Sequence, residues 1–422
     1  MKDSGIDWIG KIPDEWEIEK GKRIFAQRNE RGNTINLELL SPTQKYGVIP
    51  QTLYEELTTY SAVKLKEGTD LSQLKTVHKG DYCISLRSFQ GGFEYSKYEG
   101  VVSPAYQIFY AIKNIDECYY KYLFKDQTFI AKMNSFTMSL RDGKNISFSD
   151  FGNTYIPFPP LSEQTKIAGF LDKKCSEIDS IIEESKNSIE EYKAWKQSVI
   201  FEAVTGKNLS CKKKNSGIEW LGEIPETWEV RALKTIFRIF SGTTPKSDRT
   251  EYWDGNIKWI TPADFKTEDV YVENGKRNIS ENGFSDCSLE LIPINNLIFS
   301  KRAPIGKVCI NKNEMCTNQG CLACVKKINL SIKFFYYLLS SLTEYFEVLG
   351  SGTTFNEISL TSFSDFKVLF PPLSEQTKIA GFLDEKCAQI DSLISEKQLL
   401  IKDLAEYKKS LIFEAVTGKR RV

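Results

Sequence analysis

Two long segments of the chain place mainly apolar side chains three or four residues apart, which is the spacing along one face of an α-helix. The stripe in the first segment consists of Leu171, Cys175, Ile178, Ile182, Ser185, Ile189, Tyr192, Lys196, Val199 and Ala203. The stripe in the second consists of Leu383, Cys387, Ile390, Ile394, Lys397, Ile401, Leu404, Lys408, Leu411 and Ala415. A lysine interrupts both at the same place, as Lys196 and Lys408. The pattern predicts two helices of about 40 residues, each a rod of roughly 60 Å at about 1.5 Å per residue.

The flanking residues predict where these helices begin and end. Pro-Pro pairs at 159–160 and 371–372 interrupt the preceding segments, and Ser162 and Ser374 follow as candidate N-caps. Gly206 and Gly418 suit the helix stops. Because such helices have few local partners and duplicated halves tend to pack about a twofold axis, we expect an antiparallel coiled coil. An ordinary core helix is the alternative.

The remaining segments have a different pattern, with many glycines and aromatic residues. Short alternating segments such as 270–272 and 296–300 predict strands, and the apolar run at 334–339 predicts a helix. The expected fold is α+β, with two mixed α/β globular domains separated by the two long helices in a pseudo-twofold tandem repeat. The expected domains are 1–158 and 213–370, and the spacer helices with their linker are 159–212 and 371–422.

The chain repeats itself at a constant offset, so that position 3 corresponds to position 215 and position 159 to position 371. Segment 159–207 matches 371–419 at 32 of 49 positions, and segment 3–18 matches 215–230 at 9 of 16. Between these repeated segments lie two inserts, at about 19–158 and 231–370, which have equal length and little similarity. A tandem duplication normally drifts evenly, so this contrast indicates a constrained scaffold that carries two independently variable binding modules.

Composition narrows the possible functions. The 422 residues suit two or three cores, and 56 basic residues balance 56 acidic ones. A nucleic-acid binder usually has a basic excess, so any DNA contact must depend on local basic groups or on partners. The single histidine, His78, argues against histidine-based catalysis, and the ten cysteines are expected to be reduced. With no apolar run of ~18 residues and no signal-peptide core, we expect a soluble cytoplasmic protein.

The repeated segments resemble the specificity subunits of type I restriction-modification systems. The similarity lies in the Pro-Pro-Leu-Ser-Glu-Gln-x-x-Ile-Ala-x-Phe-Leu-Asp segments, in Ile-Asp at 178–179 and 390–391, and in the Phe-Glu-Ala-Val-Thr-Gly-Lys ends. It extends to the Gly-x-x-Pro-x-x-Trp openings formed by Gly10, Pro13, Trp16, Gly222, Pro225 and Trp228. The resemblance covers the whole chain as two complete repeats.

The resemblance implies that each globular part is a target recognition domain for one half of a split double-stranded DNA site. The helices would fix the gap between the half-sites and dock two methylation subunits. Two translocase-nuclease (restriction) subunits would complete an enzyme that methylates adenine and cleaves unmodified DNA. S-adenosylmethionine, ATP and Mg²⁺ would belong to those partners, with no cofactor bound by this chain.

Two other functions are weighed against DNA recognition. An enzyme acting alone is disfavoured, because the sequence has no Asn-Pro-Pro-Tyr methyltransferase motif and no glycine-rich cofactor loop. Gly206-Lys207 and Gly418-Lys419 also lack the upstream glycine of a phosphate-binding loop. An assembly scaffold without DNA contact is the alternative, although a scaffold has no need for two different inserts.

Candidate DNA contacts in the second domain follow motifs similar to those of the family. The loop 241–246 resembles a family Ser-Gly-Gly-Thr-Pro loop, with a threonine at the second glycine; a plain turn is the alternative. In the loop 300–307, Arg302 is a candidate to donate hydrogen bonds to O6 and N7 of guanine. The alternative is that it belongs to a solvated surface pair. The segments 317–320 and 351–355 could contact DNA or serve structure. The candidates are Ser241, Thr243, Thr244, Lys246, Lys301, Arg302, Asn318, Gln319, Thr353 and Thr354.

The first domain departs from those motifs. Its strand-end loop is 85–92, followed by the segments 103–106 and 141–144. Because the two inserts differ, no internal alignment assigns the contacts. The candidates are Arg87, Ser88, Gln90, Tyr106, Arg141 and Lys144.

Four cysteines of the second domain raise the question of a metal site. Cys309, Cys316, Cys321 and Cys324 are spaced C-x6-C-x4-C-x2-C, which is not a standard pairing of zinc knuckles. The segment 321–325 is typical of a buried strand, and the first half has no counterpart. We expect no metal here and no catalytic residue in the chain.

Overall fold

The computed structural model describes residues 1–31, 37–58, 71–84, 92–136, 146–218, 221–265, 269–350 and 356–422. Residue contacts divide the chain into two compact units. The first unit contains Met1–Lys186 and Gln398–Val422, and the second contains Asn187–Lys397. Each unit therefore combines a globular part with a segment of each long helix.

The α-helices of the described residues are mostly short, and two are long. They are α1 (Gly21–Ile24), α2 (Gln51–Thr58), α3 (Glu117–Leu123), α4 (Gln127–Ser135), α5 (Phe148–Asn153), α6 (Leu161–Thr205), α7 (Leu233–Ile236), α8 (Glu281–Asp286), α9 (Ile332–Ser340), α10 (Thr343–Gly350), α11 (Leu360–Asp365) and α12 (Leu373–Val416). Short 3₁₀ turns lie at Leu71–Gln73, Thr250–Tyr252 and Pro262–Asp264. None of these helices combines the length and apolar composition needed to span a membrane.

The strands are short in both units. In the first unit they are β1 (Lys2–Asp3), β2 (Lys11–Ile12), β3 (Glu17–Lys20), β4 (Phe25–Arg28), β5 (Leu40–Thr43), β6 (Gly47–Pro50), β7 (Lys75–Val77), β8 (Tyr82–Ile84), β9 (Phe93–Tyr95), β10 (Gly100–Val102), β11 (Gln107–Ala111) and β12 (Tyr155–Phe158). In the second they are β13 (Lys213–Asn215), β14 (Glu223–Pro225), β15 (Glu229–Ala232), β16 (Phe237–Ser241), β17 (Trp253–Ile260), β18 (Tyr271–Val272), β19 (Arg277–Ile279), β20 (Leu297–Ser300), β21 (Val308–Asn311), β22 (Cys316–Thr317), β23 (Cys321–Lys326) and β24 (Lys367–Phe370). The predicted α+β fold class is confirmed.

The main sheets of the two units share one strand order despite their different sequences. The first unit has β4-β11-β8-β9, and the second has β16-β23-β20-β21 with β18 added at the edge. In both, the central strand, β11 or β23, is antiparallel to its two neighbours. The two inserts are therefore variants of one scaffold, which the low sequence similarity did not reveal.

The core of the first unit is mainly aromatic. Phe25, Tyr82 and Phe109 are fully or almost fully buried, with ring centroids 5.2 to 5.6 Å apart. Most of these pairs meet edge to face, the arrangement that aromatic quadrupoles favour. The corresponding core of the second unit is more aliphatic, with Leu297, Phe299 and Leu322 on its strands.

The two long helices run antiparallel within each unit. In the first unit, Glu163 near the start of α6 bonds Trp16, which also packs against Gly418 beyond the end of α12. Further along α6, Asp179 pairs with Lys408 of α12 at 2.6 Å. Residue numbers therefore rise along one helix as they fall along the other. The second unit repeats this order, with Asp391 pairing with Lys196 at 2.7 Å.

These ion pairs explain why a lysine interrupts each apolar stripe. Lys196 and Lys408 are each about one-quarter exposed, and each reaches the aspartate of an Ile-Asp motif on the facing helix. A polar contact at such a position favours one register of a coiled coil over the others. Its contribution to stability is small, because the aspartates are more than half exposed.

The N-cap residues differ from the sequence prediction by two positions. Ser162 is predicted as the N-cap of α6, but the helix begins at Leu161. The carbonyl of Pro160 accepts hydrogen bonds from the backbone N–H groups of Glu163 and Gln164 at 2.9 and 3.0 Å, so Ser162 lies inside the first turn. The same correction applies to Ser374, since α12 begins at Leu373.

Each unit is closed by a helix end that packs on a proline and a tryptophan. Gly418 has a φ of +71°, and the N–H groups of Gly418 and Lys419 donate to the carbonyls of Ala415 and Glu414. This is the Schellman pattern, in which the left-handed residue is normally glycine. A Cβ at Gly418 would lie 2.3 Å from Pro13 Cδ and 3.1 Å from the Trp16 ring. The repeated glycine is therefore required both by its φ and by this close approach.

The second unit has the same closure from equivalent residues. Gly206 has a φ of +69°, and a Cβ there would lie 2.7 Å from Pro225 and 3.1 Å from Trp228. The indole N–H of Trp228 donates to Glu375 at 2.8 Å, as that of Trp16 does to Glu163 at 2.5 Å. The three repeated motifs therefore meet at one place in each unit.

The glutamine of the same motif connects α6 to the globular part. Gln164 is buried, accepts from the backbone N–H of Asp116, the N-cap residue of α3, at 2.9 Å, and donates to the carbonyl of Pro159 at 2.8 Å. Gln376 does the same with Ser331 and Pro371 at 2.9 and 2.8 Å. A buried amide with both ends satisfied fixes the angle at which the helix leaves the sheet domain.

We expect Gly418→Ala to destabilise the protein by more than 2 kcal/mol, at about 1–2 kcal/mol for the left-handed backbone plus the clash with Pro13. The control is Gly169→Ala, which lies inside α6 with open space around its Cβ. It should stabilise by about 0.5–1 kcal/mol. Urea denaturation followed by circular dichroism measures both. Equal effects of the two substitutions would contradict the closure described here.

Candidate nucleic-acid interface

In the second unit, three loops meet at one edge of the main sheet. β16 ends at Ser241, β20 ends at Ser300, and β23 begins at Cys321. The register pairs Ser241 with Leu322 and Ser300 with Cys321, so the three strand ends are neighbours. The loops that leave or enter these strands carry most of the predicted DNA contacts.

The loop that follows Ser241 and the loop that precedes Cys321 are hydrogen-bonded to each other. The hydroxyl of Ser241 donates to the carbonyl of Gln319 at 3.3 Å, and the hydroxyl of Thr244 donates to its side-chain oxygen. The backbone N–H of Thr243 donates to the carbonyl of Thr317 at 3.1 Å. Thr243, Thr244 and Gln319 are exposed, so the pair of loops presents hydroxyl and amide groups to solvent.

Gly242 allows the two loops to touch. A Cβ on this residue would lie 1.8 Å from the carbonyl oxygen of Thr317, a distance that no side chain could accept. Asn318 is half-buried and accepts from the N–H of Gly320 at 2.9 Å, which holds the turn before β23. Its side-chain oxygen thus serves the turn, whereas Gln319 projects outward.

The loop that follows Ser300 contacts the same edge through its backbone and is held by a cluster of ion pairs. The N–H of Lys301 donates to the carbonyl of Gly320 at 3.0 Å. The carboxylate of Glu357 pairs with Lys301 at 2.7 Å and with Arg302 at 2.8 Å. Burial alone would raise the pKa of Glu357, but the hydrogen bonds and charges of the two cations outweigh it and lower that pKa.

The cluster leaves a net positive charge at the sheet edge. Two cations share one carboxylate, and the Arg302 side chain is 46% exposed while that of Lys301 is 11% exposed. Arg302 bonds Glu357 through Nε, a contact that does not use its two terminal nitrogens. Such a guanidinium can make the bidentate contact that guanine or phosphate accepts.

In the first unit the equivalent edge contains the ends of β4 and β8 and the start of β11. The register pairs Arg28 with Ile108 and Ile84 with Gln107. Seven candidates lie outside the described residues. These are Arg87, Ser88 and Gln90, which follow β8, together with Arg141, Lys144, Thr353 and Thr354.

Tyr106 is described, and it lies directly before β11. It is half-buried against the small apolar cluster around Leu40, and its carbonyl accepts from the Lys75 ammonium at 2.6 Å. Burial lowers the pKa of Lys75, and the nearby Arg31 charge lowers it further. A buried lysine therefore fixes the backbone at this candidate.

Sequence reasoning missed one arginine at the edge of the first unit. Arg28 makes a bidentate pair with the buried Asp81 at 2.7 and 3.1 Å, and its guanidinium lies 4.4 Å from the centre of the Tyr110 ring. Asp81 is distant from Arg28 along the chain, and no spacing rule connects the two. Only the register that places β8 and β4 on either side of β11 brings them together.

The four cysteines considered as a metal site, Cys309, Cys316, Cys321 and Cys324, lie on strands. The prediction that 321–325 is a strand is confirmed by β23, whose first four residues are buried. Burial raises the pKa of Cys316 to about 12, and burial also raises the pKa of Cys309, Cys321 and Cys324. Within the described ranges, no group of three or more His, Cys, Asp or Glu side chains is placed to hold a metal ion.

We expect Glu357→Gln to lower the stability of the second unit at pH 7 by on the order of 1 kcal/mol, because it removes both ion pairs. The folded-state pKa of Glu357 is below its ordinary value of 4.5, so the contribution is present above that value and is lost as the pH falls through the folded-state pKa. Urea midpoints measured from pH 7 to pH 3 should therefore differ at neutral pH and converge in acid.

Glu226→Gln is the matched control, since Glu226 is exposed and has no cationic partner among the described residues. It should leave the midpoint unchanged at every pH. A Glu357→Gln difference that did not vary with pH would contradict the ion-pair assignment.

A sequence model of the family described as "Type I restriction modification DNA specificity domain" matches residues 13–191 and 225–402. The MjaIX specificity subunit of Methanocaldococcus jannaschii is 36% identical over 181 residues, which cover 42% of this chain and 41% of that protein. The putative MjaX specificity subunit of the same organism is 26% identical over an alignment of 449 residues, covering 98% of this chain and 96% of that protein. The second similarity therefore includes both halves of the chain.

Two solved structures share the fold. One, from work on complex assembly and conformational transition of the type I R-M system, has a TM-score of 0.77 at 18% identity and covers 97% of this chain and 100% of its own. The HsdS subunit from Thermoanaerobacter tengcongensis has a TM-score of 0.58 at 15% identity, with coverage of 97% and 98%. At these identities the likeness concerns the fold alone.

Proposed function

Because the chain belongs to the family of type I restriction-modification DNA specificity proteins, we propose that it is the DNA-recognition subunit of a type I restriction-modification enzyme. The domains 1–158 and 213–370 each recognise one half of a bipartite, asymmetric DNA site. The chain is non-catalytic by itself and directs adenine methylation and restriction by its partner subunits.

The observation that carries this proposal is the edge where three loops meet on a repeated sheet. Both units have the same strand order, yet the loops at this edge differ in sequence. In the second unit, the loops are bonded together and present hydroxyls, an amide and a held arginine. Such groups suit contacts to base edges and phosphates.

The catalytic activities and their cofactors are proposed to belong to partner subunits. We propose two methylation subunits and two restriction subunits, which bring S-adenosylmethionine, ATP and Mg²⁺. The balanced charge of 56 basic and 56 acidic residues fits this division, because the partners would supply much of the contact to DNA phosphates.

The helices 159–212 and 371–422 are proposed to set the spacing between the half-sites. α6 contains 45 residues and α12 contains 44, and neither is interrupted. A continuous helix extends by about 1.5 Å per residue, so its residue count sets its length. The Lys–Asp pairs and the glycine closures hold the register of the two helices within each unit.

The helices also expose apolar side chains in equivalent pairs. Ile181 and Leu393 are 43% and 39% exposed, and Trp195 and Tyr407 are each 49% exposed. The members of each pair occupy equivalent positions in the two repeats. Two equal apolar sets suit two copies of one partner, and we propose that the methylation subunits dock there.

The alternative is an assembly scaffold that does not contact DNA. Purified chain added to a methylation subunit should confer sequence-specific adenine methylation only if the chain recognises DNA. A complex that assembles and methylates without sequence preference, or with the same preference whatever chain is supplied, would favour the scaffold.

We expect Arg302→Gln to weaken recognition of one half-site by about 1–3 kcal/mol, because the variant loses a bidentate donor. The control is Arg238→Gln, a half-exposed arginine that pairs with Glu290 and lies near the start of β16, away from its loop end. Methylation of duplexes altered at single positions in either half-site measures both. Unchanged specificity in Arg302→Gln would remove this residue from the interface.

We expect Trp195→Ala and Tyr407→Ala each to weaken docking of one methylation subunit by about 2 kcal/mol, as loss of an exposed aromatic anchor does. The double variant should bind neither subunit tightly. Tyr98→Ala, an exposed tyrosine outside the helices, is the control. Analytical ultracentrifugation with the methylation subunit reports the stoichiometry. Retention of two bound subunits by the double variant would contradict this surface.

A further inference from the structure

A pair of buried tryptophans supports the loop 241–246. Trp253 and Trp259 are 6% and 7% exposed, with ring centroids 5.2 Å apart and an edge-to-face angle of 79°. The indole N–H of Trp259 donates to the carbonyl of Thr243, and that of Trp253 donates to the carbonyl of Lys246, both at 3.1 Å. Each tryptophan therefore holds one end of the exposed part of the loop.

The guanidinium of Arg277 lies over the ring of Trp253. Its guanidinium carbon is 3.7 Å from the centre of the Trp253 ring, and the residue is opposite Trp259 in the β17–β19 register. Two residues earlier, a Cβ at Gly275 would lie 2.1 Å from the carbonyl oxygen of Trp259. The chain thus approaches Trp259 as closely as glycine permits, which fixes the start of β19 and the position of the arginine.

The charge of Arg277 is not neutralised by a carboxylate of the described residues. The residue is exposed, and no carboxylate of the described residues lies within ion-pair distance of it. Arg231 is the useful comparison, since it also stacks on an aromatic ring, that of Phe370 at 4.1 Å, but pairs with Glu229 at 2.8 Å. Stacking leaves the in-plane N–H groups of a guanidinium unused, so those of Arg277 are free to bond an anion.

A second cation belongs to the same arrangement. Lys246 is exposed, its carbonyl accepts from Trp253, and it too has no carboxylate partner in the described parts of the chain. Two cations that have no carboxylate partner among the described residues, both in contact with one tryptophan, suit a ligand that repeats its negative charge. A phosphodiester backbone has that property, and its oxygens match the fork of a stacked guanidinium.

We propose that Arg277, stacked on Trp253, binds a backbone phosphate of the DNA duplex beside the half-site recognised by the second domain. The inference rests on the proposed DNA-recognition function and adds a contact that positions the duplex against the loop 241–246. Arg277 binds the backbone and carries no base specificity, unlike the contact expected of Arg302.

The experiment uses the full chain in complex with its methylation subunits, and it first requires the wild-type complex to methylate a defined split site. Fluorescence anisotropy then follows binding to a synthetic duplex with that site and to a scrambled duplex, over a series of NaCl concentrations. Arg277→Gln should weaken both by about tenfold, the loss of one charge-assisted contact. The slope of log affinity against log salt should fall by about 1.

Three variants separate the possible results. Arg231→Gln should leave affinity and slope unchanged. Arg277→Lys keeps the cation and should keep the slope, and it tests the proposal even if Arg277→Gln fails to fold. Wild-type binding by Arg277→Gln, loss on the cognate duplex alone, or equal loss of slope in Arg277→Lys and Arg277→Gln would each overturn the phosphate contact. A wild-type complex without any sequence-specific methylation would instead overturn the proposed function itself.

Discussion

The packing of a helix end against a proline and a tryptophan holds each unit together. In the first unit, the left-handed Gly418 touches Pro13 and Trp16, and Trp16 bonds Glu163 at the start of the antiparallel helix. Three segments from the beginning, middle and end of the chain therefore meet in one contact. Because only glycine fits the φ and the space, and only an indole supplies both the packing surface and the N–H, these residues recur at equivalent positions in both repeats.

That constraint leaves the sheet edge free to vary. The main sheets share their strand order, while their cores differ, one mainly aromatic and the other more aliphatic. The loops at the edge are tied to one another by hydrogen bonds and by close approaches such as that of Gly242 to Thr317. A change in one loop therefore requires a matching change in its neighbour, whereas the contact at the helix end is made by other residues. This separation of a repeated frame from variable loops is what a two-part recognition subunit requires.

The long helices, their glycine stops and the α+β class follow from the sequence. The spacing of apolar residues and the positions of the glycines that end the helices are local signals. The N-cap prediction at Ser162 was wrong by two positions, since Pro160 supplies the accepting carbonyl. The loops 241–246 and 317–320 were predicted separately, and the register of β16 and β23 brings them together. Partners such as Glu357 for Arg302, or Asp81 for Arg28, are distant along the chain and depend on topology that no periodicity encodes.

Single-molecule mapping of methylated adenines would show whether each globular domain recognises its own half of a split site. The chain and its partner subunits would be expressed in a host without adenine methylation, once with the natural chain and once with residues 19–158 replaced by those of a relative. We expect a split motif with a gap of constant length, in which the replacement changes one half and leaves the other half and the gap unchanged. A replacement that altered both halves, or a methylation pattern that did not depend on the chain, would contradict it.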